Sequence, residues 1–211
     1  MRLSDTDKSA IETQVATFEQ ATGAQGVVSV VDRCDAYPEE PWRAFALATA
    51  LAGLFVWSVP LSGALLHHST TLTLVTVLGA GAVAALLTIF LPATGRWLLP
   101  MTRCEAEVRQ YAQAMFLTRE LFATRERTAM LVLVGLYERC AVIVADGGLR
   151  ERLPAGQLEL AEAQLNAALR SGPLSAAVIQ TLVTLQAVLP RSGGGAAHNE
   201  IADSLVHERD H

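Results

Sequence analysis

The segment Ala44–Gly95 reads AFALATALAGLFVWSVPLSGALLHHSTTLTLVTVLGAGAVAALLTIFLPATG and contains no Lys, Arg, Asp or Glu. About 20 apolar residues of helix cross a membrane core of roughly 30 Å, so this segment is long enough to cross twice. Its polar break is Leu66-His67-His68-Ser69-Thr70. We predict a transmembrane helical hairpin over residues 42–99, with crossings at about 44–66 and 70–91, because backbone in lipid must be helical or in a closed barrel. The alternative is a pair of buried helices in a soluble bundle.

The cations beside this segment predict its orientation. Arg33 and Arg43 precede the first crossing, and Arg96, Arg103 and Arg109 follow the second, whereas the hairpin turn has neither Lys nor Arg. Loops rich in Lys and Arg stay on the cytoplasmic side of a membrane. We therefore expect both termini and the soluble parts in the cytoplasm, with the turn facing outward and the lipid bilayer as one partner.

Neither predicted crossing contains an ionisable side chain, which argues against a transporter or a proton path and favours an anchor. Small residues four apart, such as Ala46 and Ala50 in the first crossing and Gly81 and Ala85 in the second, allow helices to approach closely. These residues would either pack the hairpin against itself or contact another protein. A further possibility is that the hairpin itself forms a homo-oligomer and the soluble domain only caps it.

The composition of the chain limits which kinds of partner the residues outside the hairpin are expected to bind. The chain has a formal net charge of -5 and no dense cluster of Lys and Arg, so nucleic acid is not expected as a partner. The three cysteines, Cys34, Cys104 and Cys140, show no metal-type spacing. Reduced thiols in a reducing compartment are the simplest interpretation.

Outside the hairpin, the pattern predicts one α/β domain in two parts, residues 1–41 and 100–190, followed by a flexible tail over 191–211. The first part contains an amphipathic helix and the apolar strand Gln25–Val31. The second part contains a helix, two strands joined by a tight connection, and two more helices. So short a connection implies an antiparallel pair, and the order favours helices on both faces of a small mixed sheet.

Three acidic residues follow or join the predicted strands: Asp32, Glu138 and Asp146. Ligands of open α/β sheets often lie outside the carboxyl ends of strands, so Asp32 and Asp146 are candidate ligands of a cation such as Ca²⁺, which prefers oxygen ligands. The competing interpretation is that these acids belong to ordinary turns with solvated charges. No nucleophile elbow, phosphate-binding loop, zinc motif or dinucleotide fingerprint is present.

Several short motifs occur in an order that resembles the TPM domain family. They are the helix end Glu19-Gln20-Ala21-Thr22-Gly23, the segment Thr124-Arg125-Glu126-Arg127 before an apolar strand, Glu138-Arg139, Val144-Ala145-Asp146-Gly147-Gly148, and Asn199-Glu200-Ile201-Ala202-Asp203. The family includes thylakoid-lumen phosphatase-like proteins, a nematode receptor-accessory protein and many bacterial membrane proteins. The resemblance covers most of the chain outside the hairpin.

The resemblance implies a Rossmann-like α/β/α sandwich, a place in the bacterial inner membrane, acid-phosphatase activity in some members, and Ca²⁺ as a candidate ligand. Two positions depart from the family pattern: Thr128-Ala129 replaces a common Asn-Gly, and Leu158 replaces a common Trp. The positions that match the family motifs are Glu19, Thr22, Thr124, Arg127, Glu138, Arg139, Asp146, Asn199, Glu200 and Asp203.

Two functions follow as hypotheses. The first is a non-catalytic, membrane-tethered domain that binds or helps to assemble another membrane protein, which agrees with the uncharged anchor and with accessory roles in the family. The alternative is a weak metal-assisted phosphatase that uses Asp32, Glu138 and Asp146. Phosphatase chemistry needs an activated nucleophile or a bound metal, and the sequence motifs indicate neither.

Overall fold

The computed structural model describes residues 4–58, 70–189 and 205–208. The chain divides into two compact units, one formed by residues 1–34 and 102–211 and the other by residues 35–101. The first unit is the α/β unit, and we call the second the two-helix unit. The α/β unit thus combines two stretches of chain that the two-helix unit separates in sequence.

The described elements follow in chain order, with short 3₁₀ turns at Arg96–Leu98 and Leu121–Ala123. The helices are α1 Asp5–Thr22, α2 Glu39–Ser58, α3 Thr70–Phe90, α4 Pro92–Gly95, α5 Met101–Thr118, α6 Gly147–Arg152, α7 Gln157–Ser171 and α8 Leu174–Val188. The strands are β1 Gln25–Val31, β2 Ala129–Gly135, β3 Cys140–Ala145 and β4 Leu205–Glu208.

The four strands form one sheet in the order β3-β2-β1-β4. Strand β1 is parallel to β2, with Gln25 opposite Ala129, and β4 is also parallel to β1. Strand β3 is antiparallel to β2, as the short connection between them predicted. The prediction of a mixed α/β protein with a small mixed sheet is therefore confirmed.

The C-terminal strand β4 was not predicted. We expected a flexible tail over residues 191–211, but Leu205–Glu208 pairs with Val28–Val31 at the edge of the sheet. Four residues that follow a Gly-rich polar stretch are too few to show the alternation by which strands are recognised. The rest of that predicted tail lies outside the described residues.

Each face of the sheet has its own hydrophobic core. Val28 and Val30 of β1 point into a core shared with α1, α7 and α8. Val27 and Val31 point to the other face, where α5 packs. Because both faces are covered, the strands β2 and β3 are apolar along their whole length rather than alternating.

The start and end of α1 show how local sequence sets an element. Ser4 and Asp7 form a reciprocal capping box at its N-terminus. Gly23 ends the helix in the left-handed conformation with φ 72°, which glycine adopts without a Cβ clash. Between these caps, Ile11, Val15 and Phe18 recur at the spacing of one helix face and are fully buried.

In the two-helix unit, α2 and α3 pack against each other. Helix α3 covers nearly all of the predicted second crossing, and α2 begins at Glu39, before the predicted start at residue 44. The end of the predicted first crossing, Pro60 and the His67-His68 turn lie outside the described residues. Within the described part, α3 is the one helix that is long and apolar enough to cross a membrane, so the two-crossing hairpin stays a prediction.

Small residues allow α2 and α3 to approach closely. Thr49 Oγ1 and the Phe45 ring occupy the space that a Cβ at position 81 would need, so only glycine fits at Gly81. Of the two roles left open by the small-residue pattern, Gly81 therefore serves packing within the chain. The further possibility, that the hairpin itself forms a homo-oligomer, stays a prediction.

Candidate functional site at the two ends of the sheet

The first cluster of candidate residues lies where β1 ends and β2 turns into β3. The amide of Tyr137 donates a hydrogen bond of 3.0 Å to the Asp32 carbonyl, which holds the turn against the end of β1. The Arg33 guanidinium lies over the Tyr137 ring, 4.2 Å from its centroid. Arg139, the last residue of the turn before β3, adopts a left-handed conformation with φ 49°.

Glu138 is buried at this end and binds backbone rather than solvent. Its Oε1 accepts a hydrogen bond of 2.9 Å from the Cys34 amide. Its Oε2 lies so close to the backbone of Gly135 that a Cβ there would collide with it. A carboxylate that accepts a hydrogen bond from a backbone amide stabilises the local backbone conformation. We therefore assign Glu138 the role of fixing the chain just after β1.

The second cluster lies at the opposite end of the sheet and centres on Asp146. Arg127 donates to both carboxylate oxygens, from Nη2 to Oδ1 at 3.0 Å and from Nε to Oδ2 at 3.3 Å. The Gly147 amide also donates to Oδ1, at 2.7 Å. The Asp146 side chain is 5% exposed, whereas that of Arg127 is 67% exposed. Asp146 thus caps α6 and pairs with an arginine that retains access to solvent.

The backbone around Asp146 packs tightly against the segment before β2. A Cβ at Gly148 would collide with the carbonyl oxygen of Glu126, so glycine is required there. The Leu149 amide donates a hydrogen bond of 3.2 Å to the Arg127 carbonyl. Arg127 itself has φ 53°, an uncommon conformation for a residue other than glycine. The Asp-Gly-Gly segment therefore docks on the loop before β2.

Three further family-motif residues bind backbone at this same end. Thr22 Oγ1 donates to the Phe18 carbonyl at 2.7 Å, and Thr124 Oγ1 accepts from the Thr128 amide at 3.2 Å. Glu19 Oε1 accepts from the Gly26 amide at 2.9 Å. Burial raises the pKa of Glu19, and the Gly26 hydrogen bond only partly opposes this.

The structure therefore splits the motif positions. Five of them, Glu19, Thr22, Thr124, Arg127 and Asp146, meet at one end of the sheet, while Glu138 and Arg139 lie at the other. Arg152 strengthens the first group, because its Nη2 donates to the Thr22 carbonyl at 2.6 Å. Asn199, Glu200 and Asp203 lie outside the described residues.

The expected convergence of Asp32 and Asp146 on Ca²⁺ is wrong. Val31 pairs with Gly135, whereas Ala145 pairs with Met130. Five residue steps of strand at about 3.3 Å each therefore separate the two ends, or roughly 17 Å. The expectation failed because β1 is parallel to β2 and therefore runs opposite to β3, so the carboxyl ends of β1 and β3 lie at opposite edges of the sheet.

The same separation means that the three residues of the phosphatase hypothesis do not form one site, since Asp32 and Glu138 lie at one end of the sheet and Asp146 at the other. Among residues 4–58, 70–189 and 205–208, no three His, Cys, Asp or Glu side chains are placed to hold one metal ion.

Sequence reasoning missed a third polar cluster, on the outer edge of β3. Asn166 of α7 binds both backbone groups of Ala141, accepting from its amide and donating to its carbonyl at 2.8 Å each. Glu162 accepts from the Ile143 amide at 3.0 Å and from Arg109 at 2.5 Å. The available signal was the pair Glu162 and Asn166, four residues apart on α7 and hence on one face of the helix.

A cleft of about 320 Å³ adjoins this edge, between α5, β3 and α7. Cys140 lines the cleft, and burial, aided by Glu105 and Glu162, raises the pKa of its thiol to about 12. Such a thiol stays protonated near neutral pH, so Cys140 is not an activated nucleophile.

Comparison with known proteins gives a fold and no family. No family model and no curated protein matches the chain. The NMR structure of the BA42 protein from the psychrophilic bacterium Bizionia argentinensis is similar to it, with a TM-score of 0.57 and 9% sequence identity over 99% of this chain and 97% of that one. At this identity the likeness shows a shared fold alone.

Proposed function

We propose that this chain is a bacterial inner-membrane protein in which the two-helix unit is the anchor and the cytoplasmic α/β unit has a non-catalytic, accessory role toward another membrane protein. We also propose that the α/β unit is a Rossmann-like sandwich of the TPM domain family. The five family-motif residues that meet at one end of the sheet support that assignment.

The observation that carries the proposal is the exposure of apolar side chains on α2 and α3. Only 11% of the most apolar 18-residue window of α3 is buried, whereas the core helix of a soluble protein would be mostly buried. Leu51, Phe55, Val75 and Leu78 are each more than half exposed. Contiguous apolar surface of this kind marks a membrane or protein contact.

The orientation rests on the arginines beside the two-helix unit. Arg33 and Arg43 precede the apolar segment and Arg96 and Arg103 follow it, which favours the cytoplasm for both flanks. Both stretches of the α/β unit would then lie on the side of the membrane where they can share one sheet.

The non-catalytic role is supported by what the candidate acids contact. Asp146 and Glu138 both accept backbone amides, and Asp146 is also paired with Arg127. Residues of these types in these positions stabilise loops. Their exposed neighbours, including Arg127 and Arg139, remain accessible to a protein partner.

Membrane extraction of the chain with alkaline carbonate tests the anchor. The wild-type protein is expected in the pellet, and Leu78→Arg is expected to weaken its retention, because an arginine near the centre of a crossing costs about 3 kcal/mol. Leu78→Phe is the matched control and should stay in the pellet. Recovery of the wild-type chain in the soluble fraction would contradict the proposal.

Crosslinking in cells at native expression tests the accessory role. We expect a covalent conjugate that contains this chain and a second membrane protein. Recovery of the uncrosslinked chain alone, from membranes in which a known complex does crosslink, would argue against a partner.

A further inference from the structure

One end of the two-helix unit carries two arginines whose charges no described carboxylate neutralises. Arg43 lies near the start of α2, and Arg96 opens the 3₁₀ turn Arg96–Leu98 that follows α4. Arg43 Nη1 donates a hydrogen bond of 3.3 Å to the Leu98 carbonyl, so both arginines belong to the same end of the unit. Neither forms an ion pair with any residue in the described part of the chain.

The two guanidinium groups keep most of their hydrogen-bond donors for an outside acceptor. Among the described residues, the Leu98 carbonyl is the one acceptor of the Arg43 side chain, and the Arg96 side chain has none. Arg43 is exposed and Arg96 is half-buried. A guanidinium presents its N–H groups as a planar fork that matches two oxygens of a phosphate group. A phosphate is therefore the acceptor that these side chains fit.

The acidic residues of the same helix end do not cancel this positive charge. Glu40 is 3% exposed and Glu39 is half-buried. Both carboxylates have interactions of their own, although neither is paired with Arg43 or Arg96. The exposed charge beside the start of α2 is thus that of Arg43.

Trp42 indicates the depth at which the arginines lie. Its side chain is 73% exposed, and its ring meets the Phe45 ring edge-on with the centroids 6.4 Å apart. Phe45 in turn packs at Gly81, so the position of Trp42 is tied to the contact between α2 and α3. Tryptophan side chains gather at the headgroup level of a membrane. Arg43, the next residue along the chain, then lies near the lipid phosphates.

We infer that Arg43 and Arg96 bind the phosphate groups of anionic phospholipids in the cytoplasmic leaflet. The ligand is a lipid headgroup and not a free phosphate ion, because the apolar helices α2 and α3 hold both arginines at the bilayer surface. This inference rests on the proposed membrane location and orientation. It adds which class of lipid the anchor recognises and which two side chains recognise it.

Native mass spectrometry tests the inference on the full chain, released from nanodiscs that contain equal amounts of phosphatidylglycerol and phosphatidylcholine. Both lipids carry a phosphate, but only phosphatidylglycerol has a net negative charge. The wild-type chain should retain phosphatidylglycerol in preference. Arg43→Gln and Arg96→Gln should each lower that retention about five-fold, the contribution of one cation near an anionic membrane. Arg43→Lys keeps the charge without the fork, so its loss should be smaller than that of Arg43→Gln.

Arg170→Gln is the matched control, because it removes the same charge from α7 of the α/β unit and should leave lipid retention unchanged. Arg96→Gln breaks no side-chain hydrogen bond or ion pair between described residues, so loss of structure does not explain its effect. Equal retention of the two lipids by the wild type would overturn the inference. So would equal losses in Arg96→Gln and Arg170→Gln, which would show a response to overall charge.

Two further arms complete the experiment. Inorganic phosphate, added at the concentration of the lipid headgroups, should not displace phosphatidylglycerol; displacement would assign the arginines to the free ion. Carbonate extraction of every variant comes first. Absence of the wild-type chain from the pellet counts against the proposed function, whereas a membrane-bound chain without lipid preference counts against this inference alone.

Discussion

Thr49 Oγ1 occupies the space that a Cβ on Gly81 would need, so α2 and α3 are matched to each other at this point. The Phe45 ring, 2.9 Å from the same Cβ position, closes the other side. Because position 81 has no side chain, the two apolar helices can pack in this one register.

Replacing Gly81 should loosen this pair. We expect Gly81→Ala to destabilise the packing of α2 on α3 by about 1–3 kcal/mol, the usual cost of overpacking. Disulfide trapping between cysteines placed on the facing sides of α2 and α3, in detergent, measures the loss.

Gly79→Ala is the matched control, since a Cβ there meets nothing within 4 Å. Adding Thr49→Ala to Gly81→Ala should restore part of the trapping, because it removes the nearest atom. Equal effects of the two glycine substitutions would contradict the packing described here.

Substitutions at Asp146 should separate its capping role from its charge. Asp146→Ala removes the acceptor of the Gly147 amide and should cost about 1–3 kcal/mol. Asp146→Asn keeps an oxygen at that place and should cost less, although it weakens the pair with Arg127. Hydrogen exchange of peptides from β2 and β3, followed over a series of urea concentrations, gives the unfolding midpoint of the α/β unit specifically. A larger loss of stability in Asp146→Asn than in Asp146→Ala would contradict the capping role.

Asn166 should protect the edge of the sheet. Asn166→Ala leaves the amide and carbonyl of Ala141 without their side-chain partners, so we expect faster hydrogen exchange in residues 140–145 and a stability loss of about 1–3 kcal/mol. An uncovered edge strand also invites pairing between chains, which a rise in oligomer mass would report. Gln164→Ala, on the exposed side of the same helix, should change neither quantity.

Glu19 should make the stability of the α/β unit fall as pH rises. Burial raises the pKa of this carboxyl in the folded chain, so the folded state holds its proton to a higher pH than the unfolded state does. The free energy of unfolding then falls as pH rises from the ordinary value of 4.5 through the raised one.

Glu19→Gln removes the cost of ionising a buried carboxyl and still offers an oxygen to the Gly26 amide. Its stability gain over the wild type should be largest at pH 7 and shrink toward pH 4, as measured by the same urea midpoints. Glu12→Gln, on the exposed face of α1, controls for the loss of a charge. A stability gain that grows toward low pH would show that burial of the ionised Glu19 carboxyl is not the cause.

The sequence predicted those features that depend on neighbours along the chain. The amphipathic first helix, the apolar strand Gln25–Val31 and the antiparallel hairpin of β2 and β3 are all decided by local pattern, and the structure confirms them. The short strand β4 is specified by its pairing with β1, which no local pattern reveals.

The candidate site was harder to predict because strand direction decides which residues meet. Asp32 and Asp146 both follow strands, and they lie at opposite ends because β1 is parallel to β2, a pairing of segments far apart in the chain that no local pattern reveals. Glu162 and Asn166 looked like ordinary polar residues of α7, since their backbone partners lie about 20 residues earlier in the chain, on β3.

The central claim, an anchor with both flanks in the cytoplasm, is tested most directly by cysteine labelling of intact spheroplasts with a membrane-impermeant maleimide. In a Cys34→Ser background, His68→Cys should be labelled from outside, and Ser192→Cys only after the membrane is broken. Cys104 and Cys140 are buried, and with its pKa raised to about 12 the Cys140 thiol should stay unlabelled until the chain is denatured. Labelling of Ser192→Cys on intact spheroplasts, or protection of His68→Cys there, would contradict the account.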